Sequence, residues 1–284
     1  MGHHSVPQRY LKAFQAPASP GHIWASDKQG PVCNLLPIKR VAQSPAFYQL
    51  ADEHALTYGV EVPGGDAIDR LRHEGRLDEA QRRDLTYYIA TQIRRVPNAR
   101  DWFERLVPEA MDDVFARRRA SLRSAAAAPP ATADTLAARL AGVDALEKRF
   151  RARPPDTLRE QCETPWPFES WLFAIHSMYW RLLRAKGSAQ FLTGDNPAFF
   201  FEGFGLANEE CELILPLTPE LLLHCSWQPC RDLQQLDLQN PLVKEMNRRI
   251  IVGATRFVYS HQEVDWVFKV AQNKPAQLTR IRWA

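Results

Sequence analysis

Helical periodicity is concentrated in the middle of the chain. Apolar positions spaced three and four apart predict helices over residues 67–72 and 77–95. In the longer one Leu85, Tyr88, Ile89 and Gln92 share a face, and Arg82, Arg83 and Asp84 are expected to face water. Further amphipathic helices are expected from about 98 to 123, with Trp102, Leu106, Met111, Val114 and Phe115 inward, and from about 134 to 151. The densest apolar stripe, Phe168, Trp171, Leu172, Ile175, Tyr179, Leu182 and Leu183, predicts one long helix stopped by Gly187. Beyond Gly187 the pattern changes to short apolar runs punctuated by turn residues. These predict strands at 190–193 and 198–201 around the turn Gly194-Asp195-Asn196-Pro197, then at 212–217 and 221–227 on either side of Thr218-Pro219. Strands at 256–260 and 266–270 close the sheet, after a helix over 241–254 capped by Asn240. The first 60 residues are extended and broken by prolines, with short strand-like pieces at 21–30 and 46–50.

The pattern is α+β: a largely helical middle bracketed by an extended N-terminal segment and an antiparallel C-terminal sheet. It is expected to form a single domain over 1–284, made of an extended segment (1–60), a helical part (66–186) and a strand-rich part (188–284). An exposed linker is expected near 124–133, in the alanine- and proline-rich stretch.

Composition changes this picture little. At 284 residues with 45% hydrophobic positions, the chain can bury a large core. A net charge of +3 is too small to argue for nucleic acid by itself. Five cysteines with no CxxC pair point to reduced packing thiols and a cytoplasmic location. No apolar run approaches the roughly 20 residues needed to span a bilayer, so no membrane association is expected.

Three sets of residues carry candidate chemistry. His3 and His4 stand at the start, ahead of Val6-Pro7 and Tyr10-Leu11, an apolar anchor that would dock the terminus. Imidazole can bind a metal, shuttle a proton or contact an anion. Adjacent side chains on a strand point to opposite faces, so one of the two would enter a site while the other packs. Thr193, Asp195 and Asn196 form a polar cluster at a strand end. Asp195 could orient a histidine, ligate a metal or accept a proton, and such a turn could equally use Asp or Asn to bond its own backbone. Gln92 and Arg95 sit on one helix side and could hold a carboxylate or phosphate, or form a buried clamp. His176 reads as a packed histidine; His54, His73, His224 and His261 have no partner spacing; Arg117-Arg118-Arg119 reads as a solvated face. There is no GxGxxG, Walker loop, HExxH or GxSxG. The cofactor is therefore open: a divalent metal suits the His and Asp set, and no nucleotide-cofactor motif is present.

The same residues carry a resemblance. The start His3-His4-Ser5-Val6-Pro7 with Tyr10-Leu11, the helix Gln92-Ile93-Arg94-Arg95-Val96-Pro97 and the turn Phe191-Leu192-Thr193-Gly194-Asp195-Asn196-Pro197 resemble, in order, the motifs of the family known as domain of unknown function 4238. Pro216-Leu217-Thr218-Pro219 and Asn247, ahead of a terminal strand, are similar to its later motifs. The chain departs at Gly194, where serine is usual, and shows no clear acidic helix ahead of the Gln-Arg helix. The resemblance implies no reaction. Two expectations follow from the residues. One is a nuclease-like hydrolase acting on phosphodiesters or another anionic ligand, with His3, His4 and Asp195 catalytic and Gln92, Arg95, Thr193, Asn196 and Asn247 binding substrate. The other is a non-catalytic sensor or partner-binding protein of a bacterial defence or toxin–antitoxin type.

Overall fold

Proline at position 7 ends an extended N-terminus and starts its anchor. In the computed structural model, which describes residues 3–44, 54–95, 111–112, 114–124, 133–152, 166–200, 205–273 and 281–283, the chain begins with strand β1 (His3–His4) and helix α1 (Gln8–Leu11). Val6, Tyr10, Leu11 and Phe14 are all at most 2% exposed, which ties the terminus into the core. Strands β2 (His22–Asp27) and β3 (Cys33–Pro37) follow as a hairpin, and β4 (Gln43–Ser44) pairs antiparallel with β1. The expected piece at 46–50 lies outside the described residues.

Two compact units divide the chain: residues 1–97 with 165–284, and residues 98–164. In the first, a wide π-type turn (Thr57–Glu61) leads into helix α2 (Val62–Glu74), with Pro63 in its first turn and Gly75 closing it in the left-handed conformation. Helix α3 (Glu79–Arg95) packs on α2. The approach is so close that a Cβ on Gly64 would lie 2.4 Å from the Cβ of Tyr88. Gly64→Ala is therefore expected to lower stability by about 2 kcal/mol through overpacking, read as a reduced urea midpoint. An unchanged midpoint would show that the two helices can move apart freely.

The second unit contains helical residues 114–124 and helix α4 (Ala133–Ala152). Phe115 and Phe150 meet edge to face at 6.1 Å. Arg119, one of the basic triplet, pairs with Asp144 (2.8 Å) and Glu147, so this cation is engaged by α4. The expected linker residues 125–132 lie outside the described ones.

Returning to the first unit, the expected long helix is two elements. Helix α5 (Glu169–Ser177) stops at Met178, whose backbone is extended, and strand β5 (Tyr179–Ala185) follows at once. β5 runs between an antiparallel and a parallel neighbour and is buried over Trp180–Leu183. A strand covered on both faces has no alternation, so its apolar run continues the helical stripe and hides the boundary. Trp180 marks the corner by donating its indole N–H to the Ile175 carbonyl (3.0 Å). Arg82, expected in water, instead donates to the carbonyls of His176 (3.1 Å) and Met178 (2.9 Å) and lies 4.2 Å over the Trp180 ring. It caps the carbonyl end of α5.

The remaining elements are β6 (Thr193–Gly194), β7 (Phe199–Phe200), β8 (Glu212–Thr218), β9 (Leu221–Ser226), β10 (Gln234–Leu238), helix α6 (Asn240–Gly253), β11 (Phe257–Ser260) and helix α7 (Val267–Gln272). They complete two sheets, in the orders β10-β5-β9-β8-β7 and β3-β2-β11-β6. Only β10 with β5 is parallel among the described pairs. The fold is α+β, with helices in the middle and largely antiparallel sheets built from both ends. Two expectations are corrected: 267–272 is helix, and Asn240 is the first residue of α6, with Gln239 as its cap. Glycine at 194 has a local reason. A Cβ there would meet the Ala254 Cβ at 3.1 Å and the Phe257 carbonyl at 3.2 Å, so a serine would require α6 and β11 to give way.

A buried polar face on helix α3

On α3, Tyr88, Thr91, Gln92 and Arg95 fall at i, i+3, i+4 and i+7, which places them on one face. All four are at most 3% exposed. Arg95 donates one guanidinium N–H to the backbone carbonyl of His4 (3.0 Å) and another to the carboxylate of Glu61. One planar cation thus clamps the N-terminal strand to the turn before α2. The Tyr88 hydroxyl, the Thr91 hydroxyl and both amide atoms of Gln92 are buried with no hydrogen-bond partner among the described residues. Burial, reinforced by Tyr10 and the Glu61 charge, pushes the Tyr88 hydroxyl well above its ordinary pKa, so it remains a protonated donor.

The backbone also sets the orientation of the His4 ring. Its Nδ1 lies 3.2 Å from the Val41 carbonyl, which can only accept, so Nδ1 carries the proton. Nε2 is then an acceptor, and the Gln8 amide donates to it at 3.0 Å. Val41 is followed by Ala42, a non-glycine residue at φ 51°. That strained conformation delivers its carbonyl to both the N–H (2.8 Å) and the hydroxyl (3.0 Å) of Ser5. The His3 side chain lies outside the described residues; its backbone pairs with Ser44.

Thr193 reaches this region through Tyr10. The Tyr10 hydroxyl donates to the Pro216 carbonyl (2.5 Å), so the Thr193 hydroxyl donates to Tyr10 (2.9 Å). Arg72 adds a contact to the Tyr10 carbonyl (3.5 Å) while pairing with Asp69 (2.7 Å).

The other predicted residues go elsewhere. Asp195 accepts three backbone N–H groups, from Thr255 (2.7 Å), Arg256 (2.8 Å) and Phe257 (2.9 Å). Its carboxylate closes the link between α6 and β11. Burial pushes its pKa up, against the three N–H donors and the Lys28 charge that pull it down. Asn196 donates to the Gly253 carbonyl (2.9 Å). Asn247 accepts the Leu192 N–H (2.9 Å) and donates to the Gln190 carbonyl (2.8 Å). The structure thus ties the His4 carbonyl to Arg95, on the helix face that also carries Gln92, bonds Thr193 to Tyr10, and uses Asp195, Asn196 and Asn247 as braces between segments.

Sequence reasoning missed Glu61. It stands at the end of the π-type turn ahead of α2, and Pro63-Gly64-Gly65 lies within that helix. A proline in a helix's first turn was the available signal. His224 was also passed over. It is fully buried with Glu212 (3.8 Å), Arg181 and Arg249 around it and the Trp283 ring edge-on at 5.3 Å. Burial holds its pKa below 6.5, opposed by Glu212 and assisted by Arg181 and Arg249. The native state then keeps His224 neutral where the unfolded chain takes up a proton. Stability from this group is present above pH 6.5 and is lost as pH falls through the depressed native value. A His224→Gln variant should lose less stability than wild type between neutral and mildly acidic pH in denaturant titrations. Parallel losses would refute the assignment.

Among the described residues no group of three or more His, Cys, Asp or Glu is placed to hold a metal ion. A family model described as protein of unknown function (DUF4238) matches residues 2–263. No curated protein and no solved structure matches the chain.

Proposed function

Because the chain belongs to the DUF4238 family, whose description carries no activity, we propose its function from geometry alone: a hydrolase acting on an anionic ester, nuclease-like in its preference for phosphodiesters. The observation that carries this reading is the Gln92 amide, wholly buried and unpaired among the described residues, on the same helix face as the Tyr88 hydroxyl and the Arg95–Glu61 pair. A buried amide without partners costs roughly 1–3 kcal/mol, a cost that a ligand's acceptor would relieve.

In this reading the exposed Gln8 amide leaves His4 Nε2 when substrate enters, and Nε2 takes the proton from the attacking water, with its tautomer held by the Val41 carbonyl. Gln92 and Tyr88 donate to the oxygen on which negative charge develops. Glu61 is held in its pair with Arg95, and the proton that His4 takes up is returned to the leaving oxygen. Arg95 is a positioning residue, holding Glu61 and the His4 backbone on one guanidinium. Asp195 supports the fold. The test is incubation of the full chain with RNA and with single-stranded and duplex DNA, each with and without Mg²⁺ or Mn²⁺. Wild type is expected to cleave at least one substrate, and His4→Ala to lose that cleavage while keeping its melting temperature. Equal cleavage by wild type and His4→Ala would sink the proposal.

One observation favours the second reading, a non-catalytic sensor or partner-binding protein: Asp195 and Asn247 are spent on backbone groups, and Asn196 gives its amide N–H to one. Failure of every substrate, with full stability, would turn the reading that way. No helix among the described residues is long and apolar enough to cross a membrane. Cys33, Cys225 and Cys230 carry free thiols, which supports a reducing compartment, the cytoplasm, as its place of action.

A further inference from the structure

The buried His224 belongs to a polar cluster that the proposed reaction does not use. Cross-strand partners point to the same face of a sheet, so the register puts Arg181 (β5), Glu212 (β8), His224 and Ser226 (both β9) on one side. Arg249 reaches them from α6, 3.6 Å from Glu212. All five side chains are at most 2% exposed. Arg181 donates to the Ser226 hydroxyl (3.2 Å) and the Pro229 carbonyl (3.0 Å), and Glu245 lies 3.6 Å from Arg249. Neither ring nitrogen of His224 has a hydrogen-bond partner among the described residues.

A short stretch of chain lies against this cluster. Residues 281–283 form no helix or strand and are held through side chains of the sheet and its following loop. Glu212 Oε1 accepts the Ile281 N–H (2.6 Å). The Gln228 amide grips the backbone of Trp283 at two points, donating to its carbonyl (2.8 Å) and accepting its N–H (3.3 Å). The Trp283 and His224 rings meet edge to face at 5.3 Å. Docking also buries the indole N–H of Trp283 without a partner among the described residues, which works against it. The other groups around His224 stand on strands or on a helix, so this stretch is the element that opens most cheaply.

The decisive atom is Glu212 Oε1. It holds the Ile281 N–H and lies 3.8 Å from His224 Nε2, so a shift of about 1 Å would bring the two into hydrogen-bond range. A protonated His224 would face one acid, Glu212, and two like charges, Arg181 and Arg249, the second of them shared with Glu245. Burial holds the His224 pKa below its ordinary value, so docking of the stretch and uptake of a proton oppose each other.

We propose that His224 and Glu212 form a proton-operated latch on residues 281–283. Protonated His224 gives its Nε2–H to Glu212 Oε1, the Ile281 N–H loses its acceptor, and the stretch comes off the sheet. Residues 281–283 are docked at neutral pH and released under mild acid, which opens the His224–Glu212 pair to water. No residue of the α3 face takes part, so the latch is independent of the hydrolase reading.

The test follows Trp283 by fluorine NMR in the full chain carrying 5-fluorotryptophan, with its signal assigned among the eight tryptophans from Trp283→Phe. Between about pH 7.5 and about pH 5 the Trp283 signal is expected to move to a solvent-exposed position while the other tryptophans keep theirs. One proton taken up changes the ratio of docked to released by at most about tenfold per pH unit. Folded His224→Gln should show no transition over this range. Gln228→Ala, which loosens the stretch without touching the titrating pair, should move the transition to higher pH. A Trp283 signal independent of pH in wild type, or the same transition in His224→Gln, overturns the proposal. So does an unshifted midpoint in Gln228→Ala, because the proton would then oppose something other than docking. Movement of all the tryptophan signals together would show global unfolding in place of a latch.

Discussion

Asp195→Ala is expected to lower unfolding free energy by on the order of 4 kcal/mol, among the largest losses a single substitution can cause in this chain. Three consecutive backbone N–H groups, of Thr255, Arg256 and Phe257, have this carboxylate as their acceptor. Removing it leaves each N–H without its acceptor, at roughly 1–3 kcal/mol for any that remains dry. The same three residues lead into β11, the strand that joins β2 to β6, so the loss falls on the middle of a four-stranded sheet. Domains of ordinary stability hold only about 5–15 kcal/mol in total. Asp195→Asn should fall between, because one carboxylate oxygen is replaced by a donor facing the Thr255 N–H or the Arg256 and Phe257 pair. Urea denaturation of the three proteins checks the order wild type, Asn, Ala. Coincident midpoints would mean that water replaces the carboxylate without cost, and Asp195 would again be available for chemistry.

Gln92→Leu carries the second large effect, with the opposite signature. The Gln92 side chain is 0% exposed and neither end of its amide is bonded among the described residues. Replacing it by an apolar side chain of similar size removes two unpaired polar atoms and should leave stability unchanged or raise it by about 1 kcal/mol. If Gln92 donates to the developing charge of the substrate, the same change should reduce kcat/KM on a cleaved nucleic acid by roughly 10²–10³-fold, the usual cost of one such donor. A stabilised, inactive protein is a result that a purely structural amide cannot produce. Loss of stability together with activity would instead assign Gln92 to the packing of α3. Gln92→Glu adds a control: a buried carboxylate on this face should be unfavourable for both folding and anion binding.

Much of the fold is legible in the chain's own pattern, and the failures have a common cause. Helix α3 and the β8–β9 pair stand where the pattern places them, because α3 opens on a charged, partly exposed first half that reveals its stripe and a clear turn separates the apolar runs of β8 and β9. The stripe from Phe168 to Leu183 misleads because β5 is covered on both sides and its apolar run matches a buried helix equally well. Arg82 misleads for a related reason. Its charge predicts water, yet a long guanidinium can cap two carbonyls at a helix end and stack on an indole while its stem is buried.

The site shows the same division. The residue types, their order and their family membership are properties of the sequence, and so is the anchor of Val6, Tyr10 and Leu11 that docks the terminus. Which polar groups meet is another matter. Asp195 and His4 look like partners on paper, but the Asp195 oxygens are filled by N–H groups about 60 residues away, and the His4 carbonyl is held by Arg95 from 91 residues away. Glu61, outside every motif, supplies the carboxylate that Arg95 actually holds. Local periodicity reports whether a side chain is buried, because burial recurs with the turn of the helix or the pleat of the strand. It does not report what a buried polar atom will bond. That is decided only when distant segments pack, since each donor takes the acceptor that the finished core places within about 3 Å of it. The sequence therefore determined the elements and the polar inventory, and tertiary packing decided which of those groups brace the backbone and which face of α3 is left unpaired.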